Sequence, residues 1–72
     1  MTSIQFDYSK LRGRIREKIG SESKFAELLG ISSVSLSARL NNRIGFSNPE
    51  ILAACAILDI DKADIGSYFF EK

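Results

Sequence analysis

The sequence predicts an all-α domain of five short helices, and three observations support that class. The 72 residues are about half the length of a typical domain, and 44% of them are hydrophobic, so one small core can form. Apolar residues recur at steps of three and four, which is the spacing of one helical face. Helix-capping residues and glycines separate these stretches. We therefore treat residues 1–72 as a single domain, with residues 1–6 as an extended N-terminal arm.

The first two predicted helices are short and well delimited. Asp7 is the expected N-cap of the first helix, and Gly20 ends it. Its apolar face consists of Tyr8, Leu11, Ile15 and Ile19. Ser21 is the next N-cap, and the second helix runs over residues 22–29 until Gly30, which can take a positive φ. The apolar face of that helix consists of Phe25, Leu28 and Leu29, with Ala26 beside them.

The third and fourth helices have clear starting signals. Ser32 is the expected N-cap of a third helix over residues 33–41. Ser47 and Glu50 have the spacing of a capping box, with Phe46 and Ile51 as a hydrophobic staple. Since the residue before a proline avoids the α region, Asn48 is an alternative N-cap. The predicted buried face of the fourth helix consists of Ile51, Leu52, Cys55 and Leu58.

A short fifth helix is predicted near the C-terminal end. Asp61 and Asp64 are its candidate caps, and it ends near Tyr68. Phe69 and Phe70 either close the core or form a dimer contact, and we expect one of them to lie in the core.

Composition excludes several classes of chemistry. The chain has no histidine and one cysteine, which removes Ser-His-Asp and Cys-His catalysis, Cys/His zinc sites and a disulfide within the chain. The acidic residues Asp59, Asp61 and Asp64 are better explained as helix-end caps than as a catalytic pair. We therefore expect no enzyme activity, no catalytic residue, no cofactor and no metal. Cys55 is interpreted as a buried structural thiol.

No apolar run approaches the ~18 residues of a membrane helix, and nothing resembles a signal peptide. A cytoplasmic protein is expected. The net charge of +1 conceals an asymmetry: residues 1–45 carry eight basic and four acidic side chains, whereas residues 46–72 carry two basic and five acidic ones. A basic face can meet a polyanion, and ordinary solvated charge is the alternative interpretation.

The segment from Ser21 to Asn42 is the most informative about function. Two short helices joined at residues 30–32 form a helix-turn-helix candidate, in which a small Ala26 allows close approach. If Leu36 points inward, about 100° per residue places Ala38 almost directly outward. The candidate binding face consists of Ser33, Val34, Ser35, Ser37, Ala38 and Asn41. Such short, uncharged side chains can enter a DNA major groove or pack against a protein.

These residues carry a resemblance to a known family. Phe25-Ala26-Glu27-Leu28-Leu29-Gly30-Ile31-Ser32 and Ser35-Leu36-Ser37-Ala38-Arg39-Leu40-Asn41-Asn42 resemble the phage Cro and repressor-like helix-turn-helix family. Phe46-Ser47, Glu50-Ile51 and Tyr68-Phe69-Phe70 resemble small Cro-like regulators of Gram-positive phages. The resemblance covers nearly the whole chain. It implies a lambda-repressor-like fold in which the third helix reads base edges.

The resemblance also implies phosphate contacts and shows two departures. The residues expected to face phosphates are Ser21, Lys24, Asn42 and Arg43. Glu22 stands where the family often has glutamine, and its carboxylate would repel phosphate unless Lys24 compensates. Asn42 stands where glycine is common, and asparagine tolerates a left-handed conformation.

Two functions follow as hypotheses. The leading one is a sequence-specific Cro-like repressor in a lysis/lysogeny switch, which binds double-stranded operator DNA in the cytoplasm of a bacterial host. It would act as a homodimer on half-sites about 34 Å apart. The alternative is an anti-repressor of the same fold, which binds the cognate phage repressor and blocks its DNA-binding surface. Glu22, the near-neutral charge and the uncharged Val34 and Ala38 favour this alternative.

Overall fold

The structure, a computed structural model, describes residues 5–72. Over those residues it contains five α-helices, one 3-10 turn and no strand. The elements are α1 (Ser9–Lys18), α2 (Glu22–Leu29), α3 (Ser33–Leu40), α4 (Asn48–Leu58), the 3-10 turn (Lys62–Asp64) and α5 (Ile65–Phe69). The predicted all-α class with five short helices is confirmed. The predicted arm lies mostly outside the described residues, and residues 5–8 have no regular secondary structure.

The serines predicted to cap α2, α3 and α4 do so. The hydroxyls of Ser21 and Ser32 each accept a hydrogen bond from the backbone N–H three residues later, at 3.1 and 3.0 Å. Ser47 and Glu50 form the capping box: Ser47 Oγ accepts from the Glu50 N–H at 3.3 Å, and Glu50 Oε1 accepts from the Ser47 N–H at 3.0 Å. Ser47 rather than Asn48 is therefore the N-cap of α4.

Two other predicted caps differ in detail. The N-cap position of α1 is Tyr8, and Asp7 acts from one residue earlier, because its Oδ1 accepts from the Ser9 N–H at 2.9 Å. The Ser9 hydroxyl, and then this N–H, stabilise the ionised carboxylate and lower the pKa of Asp7. Asp61, a predicted cap of the fifth helix, caps the 3-10 turn that precedes it, whereas Asp64 stands at the N-cap of α5 without a side-chain hydrogen bond.

The connections around α3 use left-handed backbone. Gly30 ends α2 with φ of 83°, as the sequence predicts. Helix α3 ends at Leu40, one residue earlier than predicted, and Asn41 is its C-cap. Asn42 then takes φ of 62°, the conformation that asparagine tolerates better than most side chains. These two turns fix the direction of α3 at both of its ends.

The core lies where the helices meet, but two predicted members are on the surface. Leu28 is 50% exposed and Leu52 is 58% exposed. Ala26 and Ala54 are buried instead. Since each residue turns a helix by about 100°, Ala54 continues the line of Ile51, three residues earlier, whereas Leu52 points away from it. The buried residues are Tyr8, Leu11, Ile15, Phe25, Ala26, Leu36, Leu40, Ile51, Ala54, Cys55, Leu58, Ile60 and Phe69.

Aromatic rings close the core near the chain ends. Phe69 is buried, and its ring meets that of Phe46 edge-on at 5.3 Å between centroids. Phe46 in turn meets Tyr8 at 5.6 Å. Phe70 is half exposed and contacts Phe6 at 5.7 Å. Phe69 is therefore the core member of the pair, and a dimer contact through Phe70 stays a prediction.

The predicted thiol environment is confirmed, because Cys55 is buried and free. Burial disfavours the thiolate and raises the pKa of Cys55. No helix between residues 5 and 72 has the length and apolar character needed to cross a membrane.

Candidate functional site

Helices α2 and α3 are joined by a short turn that holds them in contact. The Ile31 N–H donates to the Ala26 carbonyl at 3.0 Å, which closes the turn after Gly30. Ala26 and Leu36 are both buried, and the hydroxyls of Ser23 and Ser33 are 3.0 Å apart at the start of α3. The α2–α3 pair thus presents α3 in one orientation.

The outward surface of α3 is uncharged and partly apolar. Val34 is 80% exposed, the highest exposure among the exposed large hydrophobic residues. Ser33, Ser37 and Asn41 are exposed, whereas Ser35 is half-buried. We call Ser33, Val34, Ser37, Ala38 and Asn41 the α3 face.

Ala38 is not as prominent as the sequence predicts. It is half-buried, because the chain after α3 folds back toward it. The Arg43 N–H donates to the Ala38 carbonyl at 2.8 Å, and the Ile44 N–H lies 3.4 Å from the same oxygen. This fold-back brings Arg43 to the α3 face. Together they form a depression of about 300 Å³, lined by Ser33, Val34, Ser37, Ala38 and Arg43.

Hydrogen-bonding groups of the α3 face are engaged within the chain. The Asn41 amide nitrogen donates to the Ser37 carbonyl at 2.9 Å and lies 3.1 Å from the Ser37 hydroxyl. The Ser33 hydroxyl is shared with Ser23. Bidentate pairing of the Asn41 amide with a base would require its amide nitrogen to leave Ser37. The apolar and highly exposed Val34 can meet a partner without breaking any hydrogen bond.

The four residues predicted to contact phosphates fall into two pairs. The Ser21 hydroxyl is occupied as a cap, and both polar atoms of the Asn42 amide bond to the Phe6 backbone. Asn42 Oδ1 accepts from the Phe6 N–H and its Nδ2 donates to the Phe6 carbonyl, both at 2.9 Å. Asn42 therefore ties the segment before α1 to the end of α3, a long-range role with no local sequence signal. Lys24 and Arg43 are exposed and have no ion-pair partner among residues 5–72.

The charge of Glu22 is compensated by Arg12 rather than by the predicted Lys24. Arg12 Nη1 lies 3.1 Å from Glu22 Oε2, and both side chains are partly exposed. Arg14 caps α4 by donating to the carbonyls of Leu58 and Asp59, at 3.0 and 3.1 Å. Two of the three arginines of α1 are thus engaged inside the domain.

An ion pair not anticipated from the sequence fixes α3 to α4. Arg39 donates to both carboxylate oxygens of Glu50 at 2.8 Å and to the Ser35 carbonyl at 2.8 Å. The side chains of Arg39 and Glu50 are only 14% and 19% exposed. The hydrogen bonds from Arg39 outweigh burial and lower the pKa of Glu50, and the same bonds raise the pKa of Arg39. The pair sets the angle at which the α3 face is presented.

Two further observations concern the described part of the chain. No group of three or more His, Cys, Asp or Glu side chains within residues 5–72 could hold a metal ion. A second depression, of about 370 Å³, lies between α1 and α2 and contains the Arg12–Glu22 pair.

Comparison with known proteins supports a phage regulator. The solution structure of the modulator of repression (MOR) of the temperate bacteriophage TP901-1 from Lactococcus lactis is similar to this chain, with a TM-score of 0.81 and 39% sequence identity. The match covers 96% of this chain and 93% of that chain. A comparison with curated proteins gives no match. Membership of the Cro and repressor-like helix-turn-helix family is not confirmed. A family described as proteins of unknown function, DUF739, matches residues 4–72, and the chain therefore belongs to that family.

Proposed function

We propose that this protein is a modulator of phage repression. As an anti-repressor, it binds the cognate phage repressor through the α3 face and keeps that repressor from operator DNA in the bacterial cytoplasm. The observation that carries the proposal is the similarity to MOR, at 39% identity over 96% of the chain. The alternative hypothesis drawn from the sequence thus becomes the main one.

The chemistry of the α3 face favours a protein partner. Val34 projects from the α3 face and is 80% exposed. Around it, Ser33 bonds Ser23 and Asn41 bonds Ser37. A partner would therefore gain apolar contact with Val34. The central part of protein interfaces is depleted in charge and enriched in apolar contact. Burial of Val34 would contribute about 1.5–3 kcal/mol by the ordinary relation between apolar area and free energy.

The distribution of charge argues against DNA as the main partner. Proteins that bind duplex DNA typically neutralise about 6–10 phosphates with basic side chains. Here Arg12, Arg14, Lys18 and Arg39 are all in ion pairs with acidic residues of the same chain. Of the four predicted phosphate contacts, Lys24 and Arg43 are the basic side chains without an ion-pair partner among residues 5–72, and Arg43 alone lines the depression of the α3 face.

The experiment uses the repressor encoded in the same phage genome and its labelled operator. We expect calorimetric binding of the chain to the repressor, and release of the operator from the repressor as the chain is added. The chain alone should leave the operator unshifted at micromolar concentration and low salt. A shift by the chain alone, weakening with salt, would support the Cro-like hypothesis instead.

A variant pair places the interface. Val34→Asp should lower repressor affinity by about 30-fold or more, because it puts a charge at the centre of an apolar contact. The fold should persist, since an acidic residue in the first turn of α3 suits the positive end of the helix. Leu52→Asp is the matched control, as Leu52 is also an exposed apolar residue but lies outside the depression. Equal affinity of both variants and the wild type would exclude the α3 face.

A further inference from the structure

We propose that the partner presents a carboxylate, from Asp or Glu, to Arg43, beside an apolar side chain that enters the depression of the α3 face. This inference rests on the proposed function and specifies the chemistry of the partner at that site. It also assigns to Arg43 a role different from the phosphate contact predicted from the sequence.

Arg43 is held in place at the edge of the depression. Its backbone N–H donates to the Ala38 carbonyl at 2.8 Å, so it is bonded to the last turn of α3. The preceding Asn42 is fixed by two hydrogen bonds to Phe6. Since the backbone on which the side chain stands is ordered before binding, less conformational freedom is lost when a partner arrives.

Arg43 is the one charged residue among those that line the depression of the α3 face. No charged residue occurs from Leu28 to Ala38, and the guanidinium of Arg39 is engaged with Glu50. The Arg43 side chain has no hydrogen-bond or ion-pair partner within the described part of the chain, residues 5–72. A partner that covers it must supply an acceptor, because an unpaired charge is costly to remove from water. A carboxylate accepts the planar guanidinium through two parallel bonds.

The size of the depression points to a side chain as its occupant. A volume of about 300 Å³ is at the lower limit of pockets that hold small ligands. The Val34 and Ala38 walls suit an aliphatic or aromatic group. A phosphate could also accept from Arg43, but Arg43 is the single cation lining the depression, and DNA binding relies on several. We therefore choose an acidic protein surface over a nucleic acid.

The primary test measures repressor affinity for Arg43 variants. Arg43→Gln should weaken binding by about 10- to 100-fold, and Arg43→Glu should weaken it further through repulsion. Arg16→Glu is the matched control: it makes the same change in net charge at another exposed arginine, which lies on α1 outside the depression. Its affinity should stay within about threefold of the wild type, since an exposed charge far from an interface acts weakly through salt solution.

A second measurement identifies the partner group. Each acidic residue on the DNA-binding domain of the repressor is changed to lysine, and one of these variants should restore binding to Arg43→Glu. If Arg43→Glu binds as well as the wild type while Val34→Asp does not, the inference is wrong and the proposed function stands. If the wild-type chain does not bind the repressor, both fail. A DNA complex whose salt slope falls by about one for Arg43→Gln would identify phosphate as the true partner.

Discussion

The Arg39–Glu50 pair is expected to be a major determinant of stability, and it can be measured by a double-mutant cycle. Arg39→Met removes the charge and keeps an unbranched side chain, and Glu50→Gln removes the charge and keeps the shape. The two single variants and the double variant, compared with the wild type, isolate the interaction between the two side chains.

The structure sets the size of that interaction. Exposed ion pairs contribute about 0.2–1 kcal/mol, whereas removing one member of a fully buried pair costs about 3–5 kcal/mol. The side chains of Arg39 and Glu50 are 14% and 19% exposed and are joined by two bonds of 2.8 Å, which places them between these limits. We expect a coupling free energy of about 2 kcal/mol. With an unfolding entropy of about 2.1 cal/mol/K per residue, the loss of this coupling free energy lowers the Tm of a chain this long by roughly 13 °C.

Urea unfolding followed by far-UV circular dichroism measures the four free energies. The coupling should persist in 1 M salt, since water and ions reach the pair only partly. A coupling free energy below about 0.5 kcal/mol would refute the reasoning, because it would mean that the pair behaves as an ordinary surface ion pair.

Three further predictions concern the backbone, pH and the thiol. Gly30→Ala should cost about 1–2 kcal/mol because φ is 83°, whereas Gly13→Ala, in the interior of α1 and also free of neighbours within 4 Å, should stabilise by about 0.5–1 kcal/mol. If urea unfolding showed the two substitutions changing the free energy of unfolding in the same direction, this reasoning would be contradicted. The pKa of Glu50 is lowered on folding, so its stabilisation is complete above its ordinary value of 4.5 and is lost as pH falls through the lower folded value. In Glu50→Gln, the melting temperature should no longer show the fall at acid pH that the protonation of Glu50 causes. Cys55 should react with a thiol reagent only as fast as the chain opens, since its thiol is buried and burial also raises its pKa; rapid modification of the native protein would show otherwise.

Local signals explain why the helices can be predicted so closely. The caps at Ser21, Ser32 and Ser47 and the left-handed Gly30 each depend on residues within one turn, and the sequence predicts all four, with Asn48 as the alternative to Ser47. The buried side of a helix depends instead on what packs against it. The apolar side chain of Leu52 assigns it to the core, although its position on α4 points away from Ile51 and the small Ala54 is buried instead.

The candidate site is predictable in position more than in chemistry. An uncharged outer surface on α3 follows from helical periodicity, and the exposure of Val34 agrees with it. Whether a polar side chain is available depends on partners distant in sequence. The Asn42 amide bonds Phe6, 36 residues away, and the Arg12 guanidinium meets Glu22 across the α1–α2 connection. Such pairings arise only when the helices assemble.

The bonds that Arg12 and Asn42 make within the chain affect the free energy of binding to each kind of partner. To contact a phosphate, the Arg12 guanidinium would have to leave Glu22, so that contact would require an existing ion pair to break. Among the predicted phosphate contacts, Lys24 and Arg43 have no ion pair within residues 5–72 to break. A protein that covers Val34 and offers a carboxylate to Arg43 requires no such exchange. Because free energy of binding is what remains after these costs, the pairings support the protein partner proposed above.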